Sequence, residues 1–454
     1  MVRLPRVVIA APASGHGKTT VAVGVMAALS ARGLQVSGHK VGPDYIDPSY
    51  HALATGRPAR NLDPYLVGAD RIVPLLLHGA AGADVAVIEG VMGLFDGRLG
   101  TDGEASTAHV AALTATPVVL VVDVSHASRT HAAVVTGLAG FDPAVRIAGV
   151  VLNKAGSARH ADEVIAALRP SGIPVLGVLP RDADVQTPSR HLGLVPAAER
   201  DESAAMTARL AGLLEQHVDL DAVLALARHA PELTGGAWDS ATEVSAASAR
   251  RPVVAVAAGR AFTFGYTETF ELLRAAGCEV VSFDPLTDTC LPAGAAGIYL
   301  GGGFPEVYAE HLGANTALLG ALRAAIEAGV PTVAECGGLA YLCRRVGEDA
   351  GVGALPGGGD AAPDAGLSGG HGGGRQSADS GGTAGHRARI PPHPGRFRPP
   401  RRCGLGASPR SGRLCLDQSA CVLPAHPLGR TSRTGTTVRR RGARFQRPGP
   451  APSR

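Results

Sequence analysis

Residues 7–20 read VVIAAPASGHGKTT, and this stretch decides the fold of the first half of the chain. Its apolar start predicts a buried strand, its small residues predict a tight turn, and Lys18 opens a helix. Backbone N–H groups in such a turn, together with the positive end of the helix dipole, bind phosphate groups. Lys18 would reach the β- and γ-phosphates, and Thr19 would offer its hydroxyl to Mg²⁺. The stretch therefore predicts a nucleoside triphosphate site.

The rest of this loop supports the same prediction. Ser14, Gly15, Gly17 and Thr20 are the further residues expected to contact the nucleotide. Pro12 stands where the pattern G-x-x-x-x-G-K-[ST] has its first Gly, so the turn that enters the loop must differ. A glycine-rich turn without a ligand is the alternative, and the sequence GKTT between a strand and a helix makes it the weaker one.

Outward from this loop, short apolar runs alternate with helical patterns as far as residue 218. Such alternation predicts a parallel sheet with helices on both faces. A segment rich in Ala, Ser and Thr, bounded here as 226–251, predicts a linker before a second α/β unit. The periodicity stops near Gly351. The predicted strands are 7–11, 35–40, 85–89, 118–123, 147–152 and 175–179, then 253–258, 279–283, 297–300 and 332–335, and helices are expected in the second unit at 267–276 and 315–328.

Length and composition limit the function classes. The 454 residues allow two or three domains. No run of 18 apolar residues and no signal peptide is evident, which predicts a cytoplasmic protein without a membrane partner. The 7 cysteines contain no C-x-x-C pair, so neither a zinc site nor a disulfide framework is predicted.

Charge divides the chain unevenly. Residues 351–454 contain 17 Arg and 4 Asp but no Lys, Glu, Tyr, Trp, Met or Asn, whereas the whole chain has a net charge of only +4. This segment is crowded with Gly, Pro, Ser and Arg, so it cannot build a normal core. We therefore expect a disordered tail after residue 350.

Acidic residues follow two of the predicted strands. Asp44 and Asp47 come just after the second strand, and Glu89 ends the third. The carboxyl ends of parallel strands are where such sheets place their sites, and carboxylates there can hold Mg²⁺ or orient a nucleophile. Turn-forming Asp residues are the structural alternative. Asn153, after a later strand, could contact a purine edge.

A second motif lies in the second unit, where residues 334–338 read AECGG between a strand and a helix. Small residues there permit the strained turn that exposes a nucleophile, here Cys336. The run GGGFPE at 301–306 could supply N–H donors for an oxyanion. A buried cysteine at a strand end is the alternative, and the glycine-rich run favours the nucleophile.

Taken together, these motifs resemble the cobyrinate or hydrogenobyrinate a,c-diamide synthase family of cobalamin biosynthesis. The resemblance runs in order from about residue 5 to 350, and its specific parts are VGPDYIDP at 41–48 and EGVMGLFDG at 89–97. The predicted fold class is α/β. It comprises a P-loop NTPase-type parallel sheet domain (1–225), the linker (226–251), an incomplete class I glutamine amidotransferase-like domain (252–350) and the disordered tail (351–454).

The resemblance implies ATP-dependent amidation of the a and c carboxylates of a corrin precursor through an acyl phosphate, with ammonia released from glutamine. For this chain, free ammonia is the expected alternative nitrogen source. By position, it implies that Lys18 and Thr19 bind the triphosphate. Asp47 and Glu89 would be the carboxylate ligands of Mg²⁺, together with Thr19. Cys336 would attack glutamine. The expected cofactors are ATP and Mg²⁺, the expected oligomer is a homodimer, and no nucleic acid is expected as partner. Asp44, Tyr45 and Asp96 would place the substrate carboxylate, and Lys40, His51, Arg57 and Arg60 are basic residues considered as partners of its other carboxylates.

The tail departs from the family, which usually has a Tyr-Leu-His-x-His segment that supplies the base for the cysteine. Residues 421–432 (CVLPAHPLGRTS) can be encoded so that a shift of one nucleotide yields ASYLHTHWAGH. Residues 386–394 and 360–370 permit TAHEFHRT and TRLPTLGYRE in the same frame and in the family's order. These matches predict a frameshift close after Glu348. The competing interpretation is an Arg-rich tail that binds nucleic acid.

Other functions explain less of the chain. An enzyme like dethiobiotin synthetase would account for the first domain but not for residues 301–306 or Cys336. A partitioning ATPase normally has a second Lys early in its phosphate loop, where this chain has Ala13. Amidotransferases that act on other corrin side chains, on lipid-linked or on cell-wall substrates are related alternatives, and residues 42–48 followed by 61–64 favour the a,c-diamide enzyme.

Overall fold

The computed structural model describes residues 1–181, 196–199, 202–245 and 250–343, together with four short strand segments at 189–190, 193–194, 345–346 and 349–350. The predicted tail, 351–454, lies outside the described residues. By its internal contacts the chain divides into two units. Met1–Val253 and Thr263–Val280 belong to the first, and Val254–Phe262 with the described residues from Val281 onward belong to the second.

A parallel seven-stranded sheet organises the first unit, in the order β3-β2-β4-β1-β5-β6-β7. Helices connect its strands, as parallel neighbours require. The strands are β1 (Arg6–Ala10), β2 (Val36–Val41), β3 (Arg60–Leu62), β4 (Val85–Glu89), β5 (Val118–Asp123), β6 (Ile147–Ala155) and β7 (Val175–Pro180), followed by a separate antiparallel pair, β8 (Ser189–Arg190) and β9 (Gly193–Leu194).

The helices of the first unit include one from the segment Thr263–Val280. That helix, α11, contributes Leu272 to the same apolar core as the sheet. The helices are α1 (Lys18–Ala31), α2 (Asp47–Thr55), α3 (Pro64–Val67), α4 (Ile72–Gly79), α5 (Thr107–Leu113), α6 (Thr130–Phe141), α7 (Ala158–Leu168), α8 (Ser203–His217), α9 (Leu220–Arg228), α10 (Ser240–Glu243) and α11 (Thr267–Ala275).

Register in this sheet decides which strand ends become neighbours. Glu89 pairs with Ile9 of β1 on one side and with Lys40 of β2 on the other. Asp123 pairs with Asn153 across β5 and β6. Side chains at paired positions point to the same face of a sheet, so these polar residues meet at its carboxyl edge. Every residue of β1 is buried, because helices cover both faces.

The second unit contains a four-stranded sheet in the order β11-β10-β12-β13, with β12 and β13 parallel. Its core gathers Phe262, Phe283, Leu300, Leu322 and Tyr341, each with at most 5% of its surface exposed. The elements are β10 (Val253–Ala257), β11 (Glu279–Phe283), β12 (Ala295–Leu300), α12 (Ala309–Ala314), α13 (Thr316–Glu327), β13 (Thr332–Ala334), α14 (Gly337–Leu342), and the antiparallel pair β14 (Arg345–Val346) and β15 (Asp349–Ala350).

The predicted α/β class is confirmed, and each strand expected in the two sheets is present. The sequence analysis missed β3, which has three residues and too short an apolar run to be recognised. The segment predicted as a linker contains the end of α9 and all of α10, and Trp238 within it packs into the core of the first unit. Within the described ranges, no helix is both long and apolar enough to cross a membrane.

Candidate active site

The phosphate loop lies between β1 and α1 at the carboxyl edge of the sheet. Gly17 is the N-cap of α1 with φ of 90°, and no side chain caps this helix end. The first N–H groups of a helix have no acceptor within the helix, so they remain able to bind an anion. The Lys18 ammonium donates to the carbonyl oxygens of Met92 at 2.5 Å and Ala13 at 3.5 Å. The loop thus has the form predicted for a triphosphate site.

Neighbouring strand ends hold this loop in place. The Asn153 amide nitrogen donates to the His16 carbonyl oxygen at 2.9 Å, and the Asp123 backbone N–H donates to the His16 ring at the same distance. Lys154 donates to Asp123 at 2.6 Å and to the Gly15 carbonyl at 3.1 Å. A Cβ on Gly17 would lie 2.2 Å from the Asn153 amide nitrogen, so this contact requires glycine there. Asn153 therefore contacts the loop backbone from within the site.

The two carboxylates predicted to bind the metal, Asp47 and Glu89, form a cluster beside Thr19. The Thr19 hydroxyl donates to Glu89 at 2.6 Å and lies 3.4 Å from Asp47. The Lys40 ammonium donates to Asp47 at 2.5 Å, to Glu89 at 3.0 Å and to the Gly90 carbonyl at 3.1 Å. Four separate segments, the starts of α1 and α2 and the ends of β2 and β4, thus bring their polar side chains to one point.

Most of the predicted residues of the first unit share one open cleft of about 900 Å³. Tyr45 and Asp96 are not part of its lining. The predicted residues that line the cleft are Ser14, Gly15, Gly17, Lys18, Thr19, Thr20, Asp44, Asp47, Glu89 and Asn153.

Burial and mutual charge determine the protonation of the cluster. Burial alone would raise the pKa of Glu89, but the Lys40 charge and the hydrogen bonds from His51 and Thr19 outweigh it and lower that pKa. Burial and the Glu89 charge raise the pKa of Asp47 well above its ordinary value, although Lys40 opposes this. Burial would lower the pKa of Lys40, but Glu89, Asp47 and Asp44 raise it. Lys40 and Glu89 therefore form the ion pair, and Asp47 is the carboxyl group whose ionisation an added cation would favour.

The chemistry of this donor set fits Mg²⁺. Thr19, Asp47 and Glu89 offer only oxygen atoms, which are the ligands that Mg²⁺ prefers. No group of three or more His, Cys, Asp or Glu side chains forms a ready metal cage in the part of the chain that the structure describes. Since Mg²⁺ at nucleotide sites is usually bound by one or two carboxylates together with the phosphates, such a cage is not required.

The three residues expected to place a carboxylate have different surroundings. Asp44 lines the cleft, lies 3.8 Å from the Lys40 ammonium and accepts hydrogen bonds from the backbone N–H groups of Ile46 and Asp47. The Tyr45 ring stacks on Phe264 with a centroid distance of 5.1 Å. Asp96 accepts from the Gly93 N–H at 3.0 Å and so closes its own turn.

The four basic residues considered as substrate partners have other contacts. Lys40 lies in the acid cluster, and His51 donates to Glu89 at 2.6 Å. Arg57 donates to the Ala81 carbonyl, and Arg60 pairs with Glu268 and Glu271. The sequence motifs did not predict that His51 contacts this cluster. The spacing could have indicated it, because His51 stands four residues after Asp47 and thus lies on the same face of the helix.

In the second unit, Cys336 lies on the turn between β13 and α14. It is exposed, with φ of 49° and ψ of −114°, a conformation that is strained for a residue with a side chain. A Cβ on Gly337 would lie 3.0 Å from the Gly303 carbonyl oxygen, so the glycine-rich loop packs directly against this turn. The turn thus exposes Cys336 beside the glycine-rich loop, as the sequence predicts for a nucleophile at this position.

No base for Cys336 is evident in the described part of this unit. His311 is the one histidine among its described residues, and no hydrogen bond joins its ring to Cys336. Glu335, next to the cysteine, accepts from the Tyr299 hydroxyl at 3.0 Å. Within the described residues, the second candidate site therefore consists of Cys336 and its neighbouring loop.

Two family models match the chain. Residues 7–195 match the CobQ/CobB/MinD/ParA nucleotide binding domain, and residues 253–360 match the CobB/CobQ-like glutamine amidotransferase domain. The first of these includes the phosphate loop and the acid cluster. The second includes Cys336.

Known proteins are similar over most of the chain. Hydrogenobyrinate a,c-diamide synthase of Thermobifida fusca is 62% identical over 78% of this chain and 76% of its own length. The Streptomyces coelicolor protein of that name is 53% identical over 76% and 77%. Cobyrinate a,c-diamide synthase of Synechococcus is 44% identical over 75% and 74%. Among solved structures, chloroplast FtsY from Physcomitrella patens matches with a TM-score of 0.30 and 16% identity, over 39% of this chain and 59% of its own.

Proposed function

The chain belongs to the hydrogenobyrinate and cobyrinate a,c-diamide synthase family, and we propose that it amidates the a and c carboxylates of hydrogenobyrinic acid with ATP and glutamine. The relatives at 50–62% identity are named for the hydrogenobyrinate reaction, and those at 42–44% for the cobyrinate reaction. The observation that carries the proposal is the Thr19, Asp47 and Glu89 cluster, which shares one cleft with the phosphate loop.

Phosphorylation of a carboxylate requires neutralisation of negative charge, and the cleft is equipped for it. We assign the β- and γ-phosphates to Lys18 and the N–H groups around Gly15 and Gly17. Thr19, Asp47 and Glu89 would hold Mg²⁺, which supplies charge neutralisation at the phosphates when bound. A carboxylate oxygen of the substrate attacks the γ-phosphorus and ADP leaves. Ammonia then attacks the acyl carbon, phosphate leaves, and the nitrogen loses a proton to give the amide.

Asp44, Tyr45 and Asp96 would orient the substrate carboxylate. Asp44 lines the cleft and has one carboxylate oxygen on backbone N–H groups, so it can hold a fixed position. Tyr45 is placed by ring stacking. Asp96 acts through its turn, because its carboxylate accepts from Gly93. Asn153 serves the nucleotide by supporting the loop.

For the second unit we propose that Cys336 attacks the glutamine amide, forming a glutamyl thioester and releasing ammonia. Such a cysteine needs a base, and the family's usual Tyr-Leu-His-x-His segment is absent in the printed frame. We attribute this to a frameshift close after Glu348. The second family match ends at residue 360, and the rest of the tail lies outside it. The protein as printed would then use ammonia in preference to glutamine.

The setting of the enzyme completes the proposal. A polycarboxylate substrate and glutamine are small and water-soluble, so we expect a cytoplasmic enzyme with neither nucleic-acid nor membrane partners. A homodimer is the expected assembly.

Mass spectrometry of the corrin product tests this function. A frame-corrected chain is supplied with ATP, Mg²⁺, glutamine and either hydrogenobyrinic or cobyrinic acid. Two successive amide additions to hydrogenobyrinic acid, each with release of one ADP, are expected. Amidation of cobyrinic acid alone would replace the substrate assignment, and ATP turnover without amide formation would refute the function.

A further inference from the structure

His51 is a fully buried histidine that contacts the acid cluster through Glu89. It lies in α2, one helical turn after Asp47. Its Nε2 atom is 2.6 Å from Oε2 of Glu89. Neither ring nitrogen is exposed to solvent, so this histidine is surrounded entirely by protein.

The two oxygen atoms of Glu89 have separate partners. Oε1 accepts from the Thr19 hydroxyl and the Lys40 ammonium, on the side where the metal is proposed to bind. Oε2 accepts from His51. Since a carboxylate has no proton to give, Nε2 of His51 must carry the proton and donate it. The other ring nitrogen, Nδ1, has no hydrogen-bond partner among the residues that the structure describes.

We propose that His51 is a positioning residue that fixes the orientation of the Glu89 carboxylate for Mg²⁺ binding, an inference that rests on the proposed function. The hydrogen bond from His51 prevents the carboxylate from rotating about its terminal bond. Oε1 is thereby kept toward Thr19 and the phosphates. Buried polar groups are usually hydrogen-bonded, and this bond is the one that the described structure provides for the ring.

Partners that orient a metal-binding carboxylate typically change metal affinity or activity by about 10–100-fold when removed. The effect of losing His51 should therefore appear in the metal requirement and not in the contact between the loop and the nucleotide. The hydrogen bond of the His51 ring among the described residues goes to Glu89 and not to the glycine turn of the phosphate loop, so nucleotide binding without metal should be retained.

His39 provides a matched control in the same unit. It is also a fully buried histidine with an unpartnered Nδ1 among the described residues. Its Nε2 atom lies 2.8 Å from the Ser37 hydroxyl, and it contacts neither Glu89 nor Asp47. Substituting His39 thus removes a buried histidine of the same unit whose hydrogen bond goes to Ser37 and not to the carboxylates of the acid cluster.

The experiment measures binding of a non-hydrolysable ATP analogue to the full chain by isothermal titration calorimetry, over a series of free Mg²⁺ concentrations and in EDTA. The variants are His51→Leu, His51→Asn and His51→Gln, with His39→Leu and His39→Gln as controls. Gln carries its amide nitrogen at the reach of Nε2 and can donate to Glu89, whereas the Asn amide is too short. Circular dichroism checks that each variant folds. If the Leu variant fails to fold, the Asn and Gln variants still allow a comparison between two polar side chains.

We expect His51→Leu and His51→Asn to raise the Mg²⁺ concentration for half-maximal binding by about 10–100-fold, with affinity in EDTA unchanged. His51→Gln should restore most of the metal response, and both His39 variants should match the wild type. An unchanged metal response in His51→Asn, an equal change in His39→Gln, or no difference between Asn and Gln at position 51 would overturn the inference alone. Nucleotide binding that ignores Mg²⁺ in the wild type would overturn the proposed metal role as well.

Discussion

The two reactive regions of this chain differ in how completely the described residues build them. In the phosphate cleft, titratable groups from two strand ends and a helix start are buried and bonded to one another, as for Lys40, Glu89 and Asp47. At its turn Cys336 is exposed, and the Pro305 ring and the Gly303 backbone lie against the next residue, Gly337. The first site is organised by sheet register, whereas at the turn of Cys336 no histidine is hydrogen-bonded to the cysteine among the described residues. On the proposed function, the described residues would therefore build the phosphoryl-transfer site more fully than the glutaminase site.

Restoring the reading frame should have the largest effect on the difference in activity between the two sites. We expect the glutamine-dependent rate of amidation to rise by about 10²–10⁴-fold, because general-base catalysis contributes that much. The ammonium-dependent rate should stay nearly constant. Quantifying corrin amides with each nitrogen source measures both rates. Replacing Cys336 with Ala in the corrected chain should abolish the gain, and equal rates with glutamine and ammonium in the printed chain would contradict the prediction.

Substitution of Lys18 tests the phosphate cleft itself. Lys18→Met should lower amidation by about 10²–10³-fold with either nitrogen source, since it removes a charge that stabilises the transferred phosphoryl group. Lys154→Met is the comparison variant, because Lys154 also lines the cleft but pairs with Asp123 and supports the Gly15 carbonyl, so a smaller loss is expected. Steady-state rates compare the two. A loss for Lys154→Met as large as that for Lys18→Met would remove the special role of Lys18.

Alanine substitutions at two glycines of the loop distinguish the effect of backbone strain from that of a direct steric clash. Gly17→Ala should weaken binding of an ATP analogue by about 30–100-fold, since it combines the cost of a left-handed conformation with displacement of Asn153. Gly15 has a similar φ of 85°, but nothing lies within 4 Å of a Cβ added there. Gly15→Ala should therefore cost only about tenfold in affinity. Titration calorimetry gives both values, and identical losses would show that the Asn153 contact does not matter.

The smallest effect concerns the stability of the first unit. Burial, followed by the charge of Arg60, lowers the pKa of His39 to about 3. The unfolded chain binds this proton below about pH 6.5 while the folded chain does not, so folding free energy is lost as the pH falls from about 6.5 toward 3. Between pH 7 and 5 the loss should be about 1–2 kcal/mol.

Urea unfolding followed by fluorescence measures this, because Trp238 is the one tryptophan of the chain and packs in the first unit. His39→Gln has no titrating ring and should lose less stability over the same pH interval. A stability difference between wild type and variant that is the same at pH 7 and pH 5 would count against a neutral buried His39.

Much of the fold followed from local pattern. The apolar runs predicted both sheets, and the family, the enzyme class and the nucleotide-binding domain inferred from the motifs are confirmed by the relatives and the family models. The strand β3 escaped prediction because three residues are too few to show a period. The stretch around Trp238 has the composition of a linker, yet it packs into the first unit because long-range contacts outweigh composition.

The sequence by itself determined the phosphate loop, the acids at the strand ends and the exposed cysteine, because each belongs to a short motif whose residues are neighbours in the chain. Only the tertiary structure decided that Lys40 and Glu89 would stand in register, that Asn153 would support the loop, and that His51 would donate to Glu89. Those contacts join residues 38–137 positions apart. Strand order and register set such contacts, and no local pattern in the chain encodes them.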